Sequence, residues 1–264
     1  MRDELAARGY AVVAGRNIDE PWAFIHELVG ERPEMVERQP IRPIPGGRSF
    51  ASSQGFTPFH TDSQDYRGVS PGLQVMVCRR AARSGGQPRL VDGWALLDRI
   101  ERTDRVLHAA LTMVGRRHRF YFGDVVAPSV CERRGHIAWT HSPMPPADPI
   151  GVALARELDR EPVIELAVPT GAILVVDNHR MLHGRAAFDD PDRDFMRFLA
   201  WFTHPLCPRT RTTPPPSSRK LAVVIEMMTG VPPARLAERE GVTEQELYAW
   251  RSAAMEAADH ALGR

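Results

Sequence analysis

Five prolines fall within twelve residues, at positions 205, 208, 214, 215 and 216. Proline has no N–H to give to a sheet ladder or a helix interior and fixes its own φ, so this stretch is expected to run extended. It divides the chain into a main domain at 1–205, a proline-rich linker at 206–218 and a small module at 219–264. With 264 residues, the first part is large enough to bury a substantial core. Lys+Arg number 34 against 33 Asp+Glu, and 43% of residues are apolar. Neither disorder nor polyelectrolyte binding fits that balance.

No apolar run is longer than five residues, far short of a membrane span. Met1-Arg2-Asp3-Glu4 brings acids where a signal peptide continues basic and then apolar, so a cytoplasmic protein with no membrane partner is expected. Cys78, Cys131 and Cys207 are odd in number and widely spaced, which argues against a disulfide framework or a thiolate zinc site.

The main domain is mixed. The runs at 72–78, 171–176 and 196–202 are short, β-branched or aromatic, and bounded by turn residues, as buried strands are. Helical periodicity is expected at about 20–30, 93–112 and 149–160. Strands do not alternate regularly with helices, which excludes a doubly wound parallel sheet and favours a sandwich or barrel with flanking helices. Gly46-Gly47 and Gly85-Gly86 lack the lysine or third glycine of a phosphate loop.

Three residues dominate the chemistry. In Phe59-His60-Thr61-Asp62, an extended backbone turns alternate side chains to one face, so His60 and Asp62 can grip one ion while Thr61 points away. A third donor has to come from elsewhere. His183 follows the buried run 171–176 by a few residues and precedes Gly184. Two imidazoles and one carboxylate make the facial triad of non-haem Fe(II), with positions left for a co-substrate and O2. A chelating keto-diacid also needs a cation for its far carboxylate, and a guanidinium holds a carboxylate bidentately. Arg197 lies fourteen residues after His183 on the next strand-like run, where a hairpin return would bring it beside the metal. Arg193 is the competing anchor, but it sits among Asp189, Asp190, Asp192 and Asp194 and reads as a solubilising turn residue.

Taken in order, Phe59 to Asp62, Ser70-Pro71-Gly72-Leu73-Gln74, Gly85-Gly86 with Leu90-Val91-Asp92-Gly93, and Asp177-Asn178 through His183-Gly184-Arg185 to Arg197 resemble the Fe(II)/2-oxoglutarate-dependent dioxygenases of the taurine dioxygenase, clavaminate synthase and gamma-butyrobetaine hydroxylase group. The resemblance spans about 57–204. It implies a mainly β double-stranded β-helix, or jelly roll, with flanking helices. It further implies iron held by His60, Asp62 and His183, with Arg197 on the distal carboxylate of 2-oxoglutarate. The activity it implies is hydroxylation of an unactivated C–H bond of a small polar metabolite, with O2 consumed and succinate and CO2 released. The usual threonine or serine after the double glycine is missing. Gln87-Pro88-Arg89 stands there, leaving Gln87 or Arg89 as the second anchor. Asp62 disfavours halogenation, which leaves that position to chloride.

Other features point less far. His179 and His183 are four apart, but Arg180 replaces a protease's general base and the preceding run reads as strand. His118, His136 and His141 have no ligand spacing and read as structural or surface residues. Asn178 braces the turn before His183, and Arg185 is a candidate for orienting a substrate acid. Tyr66, Arg67, Tyr121, Phe122 and Trp139 are candidate pocket residues. Substrate candidates are amino acids, betaine-like amines and natural-product precursors. The tail resembles a helix-turn-helix, with Thr243 and Glu246 at capping-box spacing. Residues 219–264 carry six basic and seven acidic side chains, which makes nucleic acid an unlikely partner and favours packing or self-association. The alternative function is a ligand- or 2-oxoglutarate-sensing regulator whose tail contacts DNA.

Overall fold

A computed structural model describes residues 2–19, 21–30, 32–62, 70–120, 123–133, 136–202, 216–228 and 231–262. Eight helices lie among them: α1 (Arg2–Arg8), α2 (Pro21–Val29), α3 (Gly93–Thr103), α4 (Arg105–Met113), α5 (Pro149–Leu158), α6 (Pro216–Met228), α7 (Pro233–Glu240) and α8 (Glu244–Leu262). The strands are β1 (Tyr10–Val13), β2 (Met35–Ile41), β3 (Thr57–His60), β4 (Leu73–Arg80), β5 (Pro88–Asp92), β6 (Arg116–Phe120), β7 (Gly123–Ala127), β8 (Val130–Arg133), β9 (His136–Trp139), β10 (Ile164–Glu165), β11 (Ile173–Asp177), β12 (Met181–Arg185) and β13 (Asp194–Trp201).

Two antiparallel sheets form the frame, a larger one in the order β1-β11-β4-β13-β2 and a smaller one in the order β10-β5-β12-β3. β6-β7 and β8-β9 add two ribbons. This is the jelly-roll architecture. The strand-like runs are nearly all apolar because the larger sheet is covered on both faces. In β4, Leu73, Val75 and Val77 join the cluster that includes Phe24, Ile25 and Leu28 of α2, while Met76 and Cys78 face the opposite cluster with Leu90 and Leu174. The outward residues of the smaller sheet, Val91 and Leu182, share the first cluster with Leu96 and Ile100 of α3 and Leu154 of α5.

Two expectations change. The helical stretch at 93–112 is two helices, because Asp104 ends one and starts the other. Its backbone N–H bonds Ile100 O at 2.7 Å and its carboxylate accepts from Leu107 N at 2.8 Å. The run after His183 does not return as a hairpin either. β12 pairs with β5 and β3, whereas β13 pairs with β4 and β2 in the opposite sheet. The chain between them crosses the sandwich, so successive strands face each other across the interior.

Most of the proline-rich stretch, 203–215, lies outside the described residues. α6 begins at Pro216, where a proline in the first turn costs no helix hydrogen bond. The tail has its own small core of Val223, Leu236, Ala237 and Leu247. Its last helix starts with reciprocal bonds between Thr243 and Glu246, at 2.8 Å and 3.2 Å. No helix among the described residues is long and apolar enough to cross a membrane.

Candidate metal centre

The smaller sheet brings two imidazoles together. His60 ends β3 and is directly opposite His183 on β12, with ring centroids 4.4 Å apart. The register slips between His183 and Arg185, so that Arg185 faces Thr57 and β3 carries one more residue than β12. Pro58 lies in that bulge, where a missing N–H is tolerated. Gly184 is required there for a different reason: a Cβ would stand 2.6 Å from Thr57 O. Only glycine lets β12 approach β3 this closely.

Asp62 follows β3 and completes the cluster. One donor atom from each of His60, Asp62 and His183 lies within 4.8 Å of the others, which are separations a single ion can bridge. His183 Nε2 is 3.5 Å from Asp62 Oδ2, and His60 Nε2 is 4.0 Å from Asp62 Oδ1. His60 Nδ1 donates to Pro58 O at 2.9 Å, so the lone pair sits on Nε2, the atom turned towards the carboxylate. Burial, then the nearby His183, pushes the His60 pKa down to about 3, keeping the ring neutral and able to donate its lone pair. For Asp62, burial alone raises the pKa. Arg197, His183 and His60 outweigh it and hold the carboxyl well below the usual range.

The larger sheet supports this cluster from the other side. Arg197 Nη1 donates to Asp62 Oδ1 at 2.6 Å, and Nη2 donates to Gln39. Gln74 Nε2 donates to Asp62 Oδ2 and lies 2.9 Å from His183 Nε2. Asn178 fixes the Asp62 backbone by accepting its N–H at 2.8 Å while donating to Pro71 O at 2.9 Å. Asn178 therefore braces Asp62 as well as its own turn. Gln74 was not singled out as a site residue, although a lone amide in the buried run Leu73 to Cys78 is the signal that could have found it.

A cavity of about 90 Å³ opens beside the triad, lined by Thr57, His60, His183, Arg185, Arg193 and Arg197 and by apolar groups such as Leu90 and Leu174. Arg193 overturns its expected role. It is only 2% exposed, with its guanidinium 4.1 Å from the Phe195 ring centre and 5.0 Å from that of Phe188. Gly86 makes room for it, since a Cβ there would meet Arg193 Nε at 3.0 Å. The acids around it are engaged elsewhere: Asp190 accepts from the Arg83 backbone at 3.1 Å, and Asp192 pairs with Arg80 at 3.0 Å. Among the described residues, Arg193 Nη1 is buried without a hydrogen-bond partner. Burial, then the neighbouring Arg185, pushes its pKa down to about 10.

Arg185 spends its guanidinium on the carbonyls of Phe50, Ser53 and Gly55, at 3.2, 2.9 and 2.8 Å, and so ties down a loop. Gln87 is exposed, and Arg89 turns to Glu165 at 3.2 Å, so neither lines this cavity. His179 sits in a turn, with Nε2 3.1 Å from Ser70 O, rather than on a helix with His183. His118 is buried, 3.1 Å from Ala127 O, while His141 lines a separate cleft of about 480 Å³. Trp139 is fully buried in the core. Tyr66, Arg67, Tyr121 and Phe122 lie outside the described residues, as does the side chain of His136.

The donor set suits iron: two imidazoles and one carboxylate held in its charged form, gathered on one side of the space between the sheets. The cavity suits a dicarboxylate. Among the described residues neither Arg185 nor Arg193 has a carboxylate partner, and a buried cation without one favours an incoming anion.

The family described as Taurine catabolism dioxygenase TauD, TfdA family matches residues 26–149, which include His60 and Asp62. Similar folds occur in PvcB from Pseudomonas aeruginosa, an Fe, alpha-ketoglutarate dependent oxygenase from an isonitrile synthetic pathway, at 17% identity and a TM-score of 0.54, covering 76% of this chain and 78% of that one. Asparagine oxygenase, solved with Fe(II), 2S,3S-3-hydroxyasparagine and succinate, is 16% identical with a TM-score of 0.54, covering 76% and 77%. The non-heme iron oxygenase OrfP, with Fe and alpha-ketoglutaric acid, is 15% identical with a TM-score of 0.52, covering 76% and 78%. No curated protein matches the sequence. Nothing in these similarities supports the regulatory reading.

Proposed function

We infer that this chain, which matches the TauD, TfdA family over residues 26–149, is an Fe(II)- and 2-oxoglutarate-dependent oxygenase that hydroxylates a small polar metabolite. The observation that carries the reading is the junction of the His60–Asp62–His183 cluster with a cavity in which Arg185 and Arg193 have no carboxylate partner among the described residues. The molecules bound in asparagine oxygenase and OrfP, hydroxylated asparagine and arginine, make an amino acid or a related amine the first substrate class to test.

In this reading His60 Nε2, His183 Nε2 and an Asp62 carboxylate oxygen hold the metal. Iron with 2-oxoglutarate and O2 supplies oxidative decarboxylation of the keto acid to succinate and CO2, coupled to C–H hydroxylation. The protein's own part is electrostatic and positional. Pro58 O fixes the His60 tautomer, and Arg197 and Gln74 each occupy one oxygen of Asp62, so the carboxylate cannot rotate freely. Arg193 receives the distal carboxylate of 2-oxoglutarate beside Arg197, since both guanidiniums line the cavity. Arg197 Nη1 is committed to Asp62, while its Nε, like Arg193 Nη1, is buried without a hydrogen-bond partner among the described residues. Leu90, Leu174 and Phe50 limit water along the cavity, which strengthens the charge pairing inside it.

The test is turnover. With Fe(II), 2-oxoglutarate and O2, succinate release should rise when the right amino acid or quaternary amine is added from a panel. If 2-oxoglutarate is never consumed in an iron-dependent way, with or without added substrates, the assignment is wrong.

A further inference from the structure

Arg193 has one counterpart in the cavity that neither the sequence nor the similar proteins single out. Thr57 is 6% exposed, lines the same cavity, and its Oγ1 is buried without a hydrogen-bond partner among the described residues. An unpartnered buried hydroxyl is costly, and the charged side chains around the cavity, Arg185, Arg193 and Arg197, offer it only N–H groups. Arg185 Nε, Arg197 Nε and His183 Nδ1 on the same cavity are unpartnered too, and what the arginine donors and the Thr57 hydroxyl lack is an acceptor. A carboxylate supplies acceptor oxygens for both Thr57 Oγ1 and Arg193 Nη1.

Its place along β3 also fits the far end of a keto-diacid. Thr57 is three residues before His60, roughly 10 Å of extended strand from the metal donor, and it faces Arg185 across the bulge. The two residues first considered for this role are elsewhere: Gln87 is exposed, and Arg89 is bound to Glu165 and stacked 5.2 Å from both Phe56 and Phe59.

We propose that Thr57 is the second anchor of the distal carboxylate of 2-oxoglutarate, donating its hydroxyl beside the Arg193 guanidinium. This rests on the oxygenase reading above. Thr57 is a positioning residue for the co-substrate and touches neither the metal donors nor the carbon attacked.

The experiment compares two keto acids on Mn(II)-loaded protein by calorimetry: 2-oxoglutarate, and 2-oxopentanoate, which has the same five carbons but a methyl where the distal carboxylate stands. Thr57→Val should weaken 2-oxoglutarate by about 10-fold, the loss expected for one hydrogen bond to a charged group, and leave 2-oxopentanoate unchanged. Thr57→Ser should restore most of the loss. Because Val removes a hydroxyl that nothing in the ligand-free protein satisfies, the melting temperature of ligand-free Thr57→Val should match or exceed that of the wild type. Equal 2-oxoglutarate affinity in wild type and Thr57→Val overturns the proposal, as does an equal loss for both keto acids. If the wild type binds no 2-oxoglutarate at all, the oxygenase reading itself fails and takes this proposal with it.

Discussion

The smaller sheet gives the site its lone pairs: β3 and β12 set His60 against His183, and Asp62 follows just after β3. Across the interior, β4 and β13 offer N–H groups: Gln74 and Arg197 both on Asp62, with Arg193 just ahead of β13. One side can bind a cation, and the other can hold the cation's carboxylate ligand or a separate anion. The contrast separates two kinds of damage. Losing a lone pair removes the metal, while losing an N–H group leaves the metal and loosens what surrounds it.

The largest effect expected is from His183→Ala, which deletes one of three donors. Iron-dependent succinate release should fall to background, and normal turnover in this variant would remove the assignment. Next comes Arg193→Leu. Metal affinity, read by Mn(II) titration, should stay within a few-fold of wild type, but the KM for 2-oxoglutarate should rise on the order of 100-fold, as when one partner of a buried charge pair is truncated. A matching loss of Mn(II) binding would show that the two sides are not separable. Gln74→Leu should weaken Mn(II) binding by about 10-fold, typical of a group that orients a metal ligand, with helix content unchanged by circular dichroism.

The smallest effect is in the dependence of stability on pH. Burial pushes His60 to about 3, and burial followed by His118, Arg116 and His60 pushes His141 to about 3. Both folded pKa values lie below the ordinary histidine value of 6.5, so between about 3 and 6.5 the unfolded chain binds the protons and the folded chain does not. Stability of the metal-free protein should therefore fall as pH drops from 6.5 towards 3, by at most about 1.4 kcal/mol per pH unit for each histidine. Urea melts at pH 7, 6 and 5 measure this, and a flat profile would contradict the burial of both rings.

The lone-pair side was far more legible in the sequence than the N–H side. His60 and Asp62 are two residues apart, the spacing that suggests a shared ion, and the Gly184 that lets β12 approach β3 is adjacent to His183. Arg193 was misread because four aspartates surround it. Only the fold shows that Arg80 and Arg83, at the end of β4, neutralise Asp192 and Asp190 from outside and free Arg193 to turn inward. The alternation 193, 195, 197 held the signal, since Phe195 is an obvious core residue and its neighbours at spacing two share its face. Arg185 was offered as a substrate contact because it follows the distal histidine, yet three carbonyls of the 50–55 loop take its guanidinium. The crossing from β12 to β13 was out of reach of spacing arguments. Fourteen residues allow a hairpin or a passage between sheets, and the choice depends on pairings made by β4 and β5.

Anaerobic absorption spectroscopy tests the two-sided site most directly. Adding 2-oxoglutarate to the Fe(II)-loaded wild type should produce a weak visible charge-transfer band, which requires both to share one centre. His183→Ala should give no band, and Arg193→Leu should give the same band only at much higher 2-oxoglutarate. A band that survives in His183→Ala, or none in the wild type, would contradict the account.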